Sequence, residues 1–283
     1  MYPFLHFGSF QLGTFGILMW FAAVTAAYVL HRSFVRAGVD ADTDAIVVVS
    51  TVMIAGVLGA KVWHELQDLP ALREAMREIA QPGLHRPLDV LIRFFHWFQA
   101  GFAWFGGLVF GITALLWQGH ATPQGRSRIG ALRMLDLAAP AAAIGYGVGR
   151  IGCLTSGDGD YGINTTLPWG VHMRDDALDP PRPNPPDLLV QPTPVYELLF
   201  SIALAGYLWV RGRRRIPLGQ LTGEYLVLSG IGRFLVEIVR RNQKLYHGMS
   251  NAQVAALVTV VVGFILVATS RNTAIVKREE QAR

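Results

Sequence analysis

Seven apolar runs divide this chain, and nothing else in the sequence restricts its fold as strongly. They cover residues 10–30, 45–66, 101–117, 135–152, 195–210, 221–239 and 252–269. A helix needs roughly 20 mainly apolar residues to cross the hydrocarbon of a bilayer. Only 16% of the 283 residues are charged, against 52% hydrophobic, whereas soluble proteins carry about 25% charged residues. The chain therefore lacks the charge to cover a water-facing surface. This excludes a disordered protein, a disulfide scaffold and an ordinary cytosolic enzyme. The single cysteine, Cys153, excludes an internal disulfide and any Cys-pair metal or redox centre. The expected fold is all-α: a polytopic membrane protein of about seven transmembrane helices with a small extracytoplasmic cap.

Residues 1–283 read as a single integral membrane domain. No Lys or Arg precedes the first run, which reads as an uncleaved span with the N-terminus outside and the C-terminus cytoplasmic. Under that arrangement the inner segments hold the larger share of Lys and Arg, with the densest cluster at residues 211–215. Residues 67–100 form an outer loop. Within it, residues 88–98 interleave aromatics with Asp89, Arg93 and His96, the pattern of a helix lying in the interface. Residues 153–193 read as the extracytoplasmic cap, with an extended proline segment at 180–186. The net charge of +5 fits loop bias and anionic lipid head groups rather than nucleic acid.

Ionisable side chains inside such spans cost at least about 2.5–3.5 kcal/mol on insertion scales, and they line protein interiors or wet cavities. Arg150, Arg233, Glu237, Lys61 and Glu197 are the ones to explain. Arg150 follows Gly149 and precedes Gly152. With Gly145 these glycines share a helix face, which suits either close helix packing or a backbone approach to an anion. Arg233 and Glu237 are spaced i, i+4, with Arg240 on the same face. Two arginines with one carboxylate leave an uncompensated positive charge, suited to a phosphate; a structural ion pair with an interfacial anchor is the plain alternative. Tyr196-Glu197 opens the fifth run after prolines, as a first-turn carboxylate would. Asp136 reads as structural. Lys61 and His64 read as snorkelling side chains. No histidine has metal-ligand spacing, and no nucleotide loop or nucleophile elbow is present.

Several of these residues sit in strings that resemble the prolipoprotein diacylglyceryl transferase family. Gly149-Arg150-Ile151-Gly152 followed by Gly157-Asp158 is similar to its signature G-R-x-G-N-F-x-N-G-E-x-x-G. Gly106-Gly107-Leu108 resembles its H-G-G-L segment. Gln191-Pro192-Thr193-Pro194-Val195-Tyr196-Glu197 resembles H-P-x-Q-L-Y-E, and Gly232-Arg233-Phe234-Leu235-Val236-Glu237 with Arg240 resembles G-R-F-x-x-E-x-x-R. The resemblance implies a seven-span enzyme of the bacterial inner membrane. That enzyme moves a diacylglyceryl group from phosphatidylglycerol to the cysteine thiol of a lipobox-containing preprolipoprotein, without metal or cofactor. It implies that Arg150 and Arg233 hold the lipid phosphate, that Glu237 orients Arg233 and that Arg240 sits at the mouth. Tyr196 and Glu197 would shape the cavity, with Gly106, Gly107, Gly149, Gly152 and Asp158 in the substrate-binding set.

The chain departs from those patterns at identifiable places. The histidine before Gly-Gly-Leu, proposed as a base in the family, is Phe105 here. The signature asparagines are Cys153 and Ser156, and the acid is Asp158 in place of Glu. Losing a positioned base costs about 100–10,000-fold in rate, so slowed transfer is compatible with the departure. His64, His96 and His247 are the available substitutes. Two alternatives stay open from sequence: a non-catalytic lipid- or lipoprotein-binding paralogue, and a small-solute transporter. The second lacks the paired broken helices expected of it.

Overall fold

The computed structural model describes residues 4–7, 10–39, 45–81, 85–99, 101, 103–156, 161–172 and 189–282. A hairpin of β1 (Phe4–Phe7) and β2 (Phe10–Gly13) leads into helix α1 (Thr14–Ala37). Then follow α2 (Ala45–Gln67), α3 (Leu69–Ala80), α4 (Pro87–Gln99) and α5 (Trp104–Ala121). A short hairpin, β3 (Pro123–Gln124) with β4 (Ser127–Arg128), precedes α6 (Ala131–Ser156). The pair β5 (Val171–His172) and β6 (Leu189–Val190) precedes α7 (Thr193–Arg211), α8 (Gln220–Ile238) and α9 (Asn251–Ala282). Helices dominate, as an apolar chain in lipid requires, because every backbone polar group needs an internal partner there.

Five helices are long and apolar enough to cross a membrane: α1, α2, α6, α7 and the 251–272 part of α9. The protein is a multi-pass membrane protein. The third and sixth apolar runs are also helical, as α5 and α8, but fall outside that set of five. Outward faces are apolar: Ile54 and Leu58 on α2, and Val258, Val261 and Phe264 on α9, are exposed. In a soluble protein such faces would be a liability; lipid accepts them.

With no hydrophobic gain from leaving lipid, helices associate by close packing of small residues. The seams show it. A Cβ added at Gly106 on α5 would lie 2.2 Å from the Gly59 carbonyl oxygen of α2. One added at Gly263 on α9 would lie 2.8 Å from the Gly223 carbonyl oxygen of α8. Helix α6 is the hub, packing on α1, α5, α7 and α8. Its glycine face serves the α1 seam: Gly145 abuts Ala26, and Gly152 abuts Phe15.

Asp136 on α6 receives hydrogen bonds from Gly219 N (2.7 Å), Thr222 N (2.8 Å) and Thr222 Oγ1 (2.6 Å). It satisfies two backbone donors that open α8, so an acid from one helix caps another. Gly219 takes φ +84 there, a conformation disfavoured for side-chain-bearing residues. Lys61 is a correction to the snorkelling expectation. It is buried, 2.8 Å from Glu65, donates to the Trp97 carbonyl at 2.7 Å and lies 4.1 Å from the Trp97 ring centre. Those partners make burial affordable, and they clip α4 onto α2. His64 remains exposed, against Gly101.

Two outcomes test this packing. Gly106→Val forces α2 and α5 apart, and overpacking of this kind costs about 1–3 kcal/mol; thermal unfolding in detergent should show a clear drop in Tm. Asp136→Ala should cost roughly 0.5–2 kcal/mol, the range for losing a cap, and hydrogen exchange should rise at the first turn of α8 before it rises elsewhere.

Candidate active site

Helices α6, α7 and α8 meet at one end of the bundle, and each contributes a charge. From α6, Arg150 follows Tyr146 by one turn. From α7, Glu197 lies in the second turn after a proline-led start, and from α8 come Arg233 and Glu237. Arg240 follows just past α8, on the same face as both.

Glu197 is the meeting point. It is 3% exposed. Its Oε1 accepts from the Tyr146 hydroxyl and from Arg233 Nη1, both at 2.6 Å. Its Oε2 lies 3.0 Å from Arg150 Nε, and Arg240 Nη1 stands 4.0 Å from Oε1. Arg150 Nη2 also donates to the Tyr146 hydroxyl at 2.8 Å. Its Nη1 meets Cys153 Sγ at 3.5 Å, a weak acceptor.

Glu237 is a second, deeper anchor, fully buried. Arg233 Nη2 lies 3.1 Å away and Arg240 Nε 3.8 Å away. Ser250 Oγ donates to Oε1 at 2.8 Å, and Asn242 Nδ2 donates to the same oxygen. Arg233 thus bridges the two acids, with one guanidinium nitrogen on each. The wall around them is pinned by short loop contacts: Gly162 bridges to Arg240, Arg241 donates to Asn164, and the Trp169 indole donates to the Tyr196 hydroxyl at 2.8 Å.

Among the described residues, three guanidiniums face two carboxylates in a region largely shielded from water, a cation-rich lining of the kind that suits a phosphate. Burial first, then the charge of Arg150, pulls Arg240 down to about 10; it remains a cation near pH 7. Among the cations, Arg233 and Arg150 keep the more accessible side chains, 25% and 14% against 4% for Arg240. An anion therefore meets Arg150 and Arg233 first. Among the described residues no group of His, Cys, Asp and Glu is arranged to hold a metal ion.

Of the residues singled out from sequence, Arg150, Arg233, Glu237, Glu197 and Arg240 come together. Arg240 is buried behind the pair of acids rather than placed at an open mouth. Tyr196 flanks the cluster on the loop side. Gly149 and Gly152 face α1, against Met19 and Phe15, while Gly106 and Gly107 face α2; none of the four has its open side toward the cluster. Asp158 lies outside the described residues. Phe105, at the position of the family histidine, is exposed. Tyr146, Asn242 and Ser250 were not anticipated. Tyr146 had a readable signal, its i, i+4 spacing to Arg150; the other two come from the segment between α8 and α9 and had none.

Fold and cluster together define the class: a multi-pass helical membrane protein with a buried arginine–glutamate site at one end of its bundle. The family profile for prolipoprotein diacylglyceryl transferase matches residues 3–269, so the chain belongs to that family. Curated relatives are each named phosphatidylglycerol–prolipoprotein diacylglyceryl transferase. One from Leptospira interrogans (strain Fiocruz L1-130) is 26% identical over 89% of this chain and 88% of its own. One from Bifidobacterium longum subsp. infantis is 28% identical over 92% and 82%. One from Clostridium tetani is 32% identical across 48% of this chain, a match spanning about half of that relative, 52%.

Replacing the shared acid separates this arrangement from a loose collection of charges. Glu197→Gln leaves two arginines short of a partner, and breaking a buried pair costs about 3–5 kcal/mol. Tyr146→Phe removes a neutral hydroxyl whose hydrogen bonds to charged partners are worth about 1.5–3 kcal/mol. Thermal unfolding of the two variants in one detergent should show the first less stable; equal losses would contradict the central place of Glu197.

Proposed function

We propose that this protein transfers the diacylglyceryl group of phosphatidylglycerol to the cysteine thiol of a lipobox-containing preprolipoprotein. The observation that carries the reading is the convergence of Arg150 and Arg233, from two helices, on one buried carboxylate. Family membership and the names of the relatives support the reaction class.

The chemistry fits that cluster. The acceptor sulfur attacks a glycerol carbon of the lipid. The C–S bond forms and the C–O bond to phosphate breaks. Glycerol-1-phosphate leaves, and its phosphate oxygen takes up the proton that the thiol loses. Charge gathers on the leaving phosphate, where preorganised guanidiniums lower the barrier most. Arg150 and Arg233 hold the phosphate. Glu237 is a positioning residue that fixes the Arg233 fork, and Glu197 spaces the two forks. Arg240, behind them, raises the local positive potential. An unperturbed thiol, with a pKa near 8.5, is easier to ionise in such a field. Tyr196 shapes the entrance. Gly106, Gly107, Gly149 and Gly152 act through helix approach, bringing α2 against α5 and α1 against α6.

The same reading gives seven spans, with α5 and α8 crossing beside the five more apolar helices. The N-terminus is outside and the C-terminus cytoplasmic, in the bacterial inner membrane. The described parts of 153–193 cap the outer end, where Arg150 and Arg233 sit, and helices α3 and α4 lie along the interface; the proline segment at 180–186 lies outside the described residues.

The test is reconstituted protein with phosphatidylglycerol and a lipobox peptide, followed by mass detection of the thioether. Arg150→Ala and Arg233→Ala should each abolish labelling. Arg233→Lys should lose at least about 100-fold, because a point charge cannot reach both acids as a planar fork does. Intact activity in both alanine variants refutes the phosphate clamp. Lipid capture by wild type with no thioether under any condition refutes transfer and leaves binding.

A further inference from the structure

At the end of the bundle remote from Arg150, the ends of α1, α6, α7 and α8 border a partly open pocket of about 370 Å³, within the usual range for ligand pockets of about 300–1,000 Å³. Arg36, Arg133, Arg214 and Arg215 line it, and among the described residues Asp136 is the one acid on its wall. That acid is committed elsewhere, to the backbone and hydroxyl donors that open α8. Among the described residues, four guanidiniums thus face one occupied carboxylate.

Two of the arginines are held in place by groups that do not cancel their charge. Arg36 Nη1 donates to the Trp209 carbonyl at 3.1 Å, and its guanidinium lies 4.2 Å from the centre of the Trp209 ring. Arg133 Nη2 donates to the Ala37 carbonyl at 3.2 Å. A carbonyl fixes a guanidinium without neutralising it, and an aromatic face does the same. By contrast Arg211, on the same stretch, is spent on Glu224 at 3.0 and 3.1 Å. Loop arginines that merely mark the cytoplasmic side need neither a cavity nor anchored heads. Leu137 and Leu221 complete the lining beside the arginines.

We propose that this cavity is a second anion site, which binds a phosphate group through the forks of Arg36, Arg133, Arg214 and Arg215. It is separate from the Arg150–Glu197 cluster. Arg133 and Arg150 are 17 residues apart on α6, about 25 Å at 1.5 Å per residue. The phosphate comes either from an anionic lipid head group at that face or from a soluble phosphate compound, and planar bidentate recognition serves both. The inference does not rest on the transfer reading.

The experiment uses the full chain in phosphatidylcholine nanodiscs. One arm titrates inorganic pyrophosphate, against sodium chloride of equal ionic strength; the other raises the fraction of phosphatidylglycerol in the disc. Tm is read for wild type, Arg150→Ala and the double variant Arg133→Gln/Arg214→Gln. A saturable rise above the chloride control in either arm is expected. It should persist in Arg150→Ala and need at least tenfold more ligand in the double variant. Saturation with pyrophosphate alone assigns a soluble phosphate; saturation with the lipid alone assigns a head group. Should the double variant not fold, Arg215→Gln, on an exposed side chain, should weaken the response at least threefold. No saturable rise in wild type overturns the site, as does an equal rise in the cavity variants. Thioether formation by the cavity variants is expected to stay at the wild-type level, so failure here leaves the Arg150 reading intact.

Discussion

The carboxylate of Glu197 lies between Arg150 of α6 and Arg233 of α8, and the organisation of this end of the protein depends on it. Two helices that would repel one another through their arginines are instead tied to a single acid on a third. In a medium that penalises isolated charge so heavily, the arrangement is stable only if each ion is placed against its partner. Tyr146, Ser250 and Asn242 supply further hydrogen bonds to the two acids.

Helix α6 carries that logic along its length. Its glycines let α1 approach, and Asp136 at its other end caps α8. Both ends of α8 are thus set by side chains of other elements: Asp136 at the start, Glu197 and Ser250 near the finish. The cationic cavity and the arginine–glutamate cluster lie at opposite ends of the same helices. The first has arginines steadied by carbonyls and the second has arginines steadied by carboxylates.

Much of this was legible in sequence because lipid simplifies the problem. Runs near 20 residues read directly as helices, and each run is helical over most of its length, although the first opens in strand β2. Arg150, Arg233 and Glu237 were conspicuous because charge inside such runs is costly. Lys61 was misread because nothing in the local pattern discloses Trp97, 36 residues on, whose carbonyl and ring receive it. Gly149 and Gly152 were assigned to an anion, yet their open side faces α1. A glycine face marks close approach, and only the neighbour shows to what. Glu197 read as a first-turn carboxylate, and its central position emerges only when α6 and α8 are set beside α7.

The sequence by itself determined the environment, the helices, the charges that had to be buried and the family, because composition and local periodicity depend on transfer energies that act residue by residue. The tertiary structure alone decided which charges meet. Pairing depends on helix rotation and on glycine-permitted approach, set by contacts between residues far apart in the chain. The same arginines could have been solvated. Packing drew one set onto buried carboxylates and set another around a pocket at the far end of the bundle.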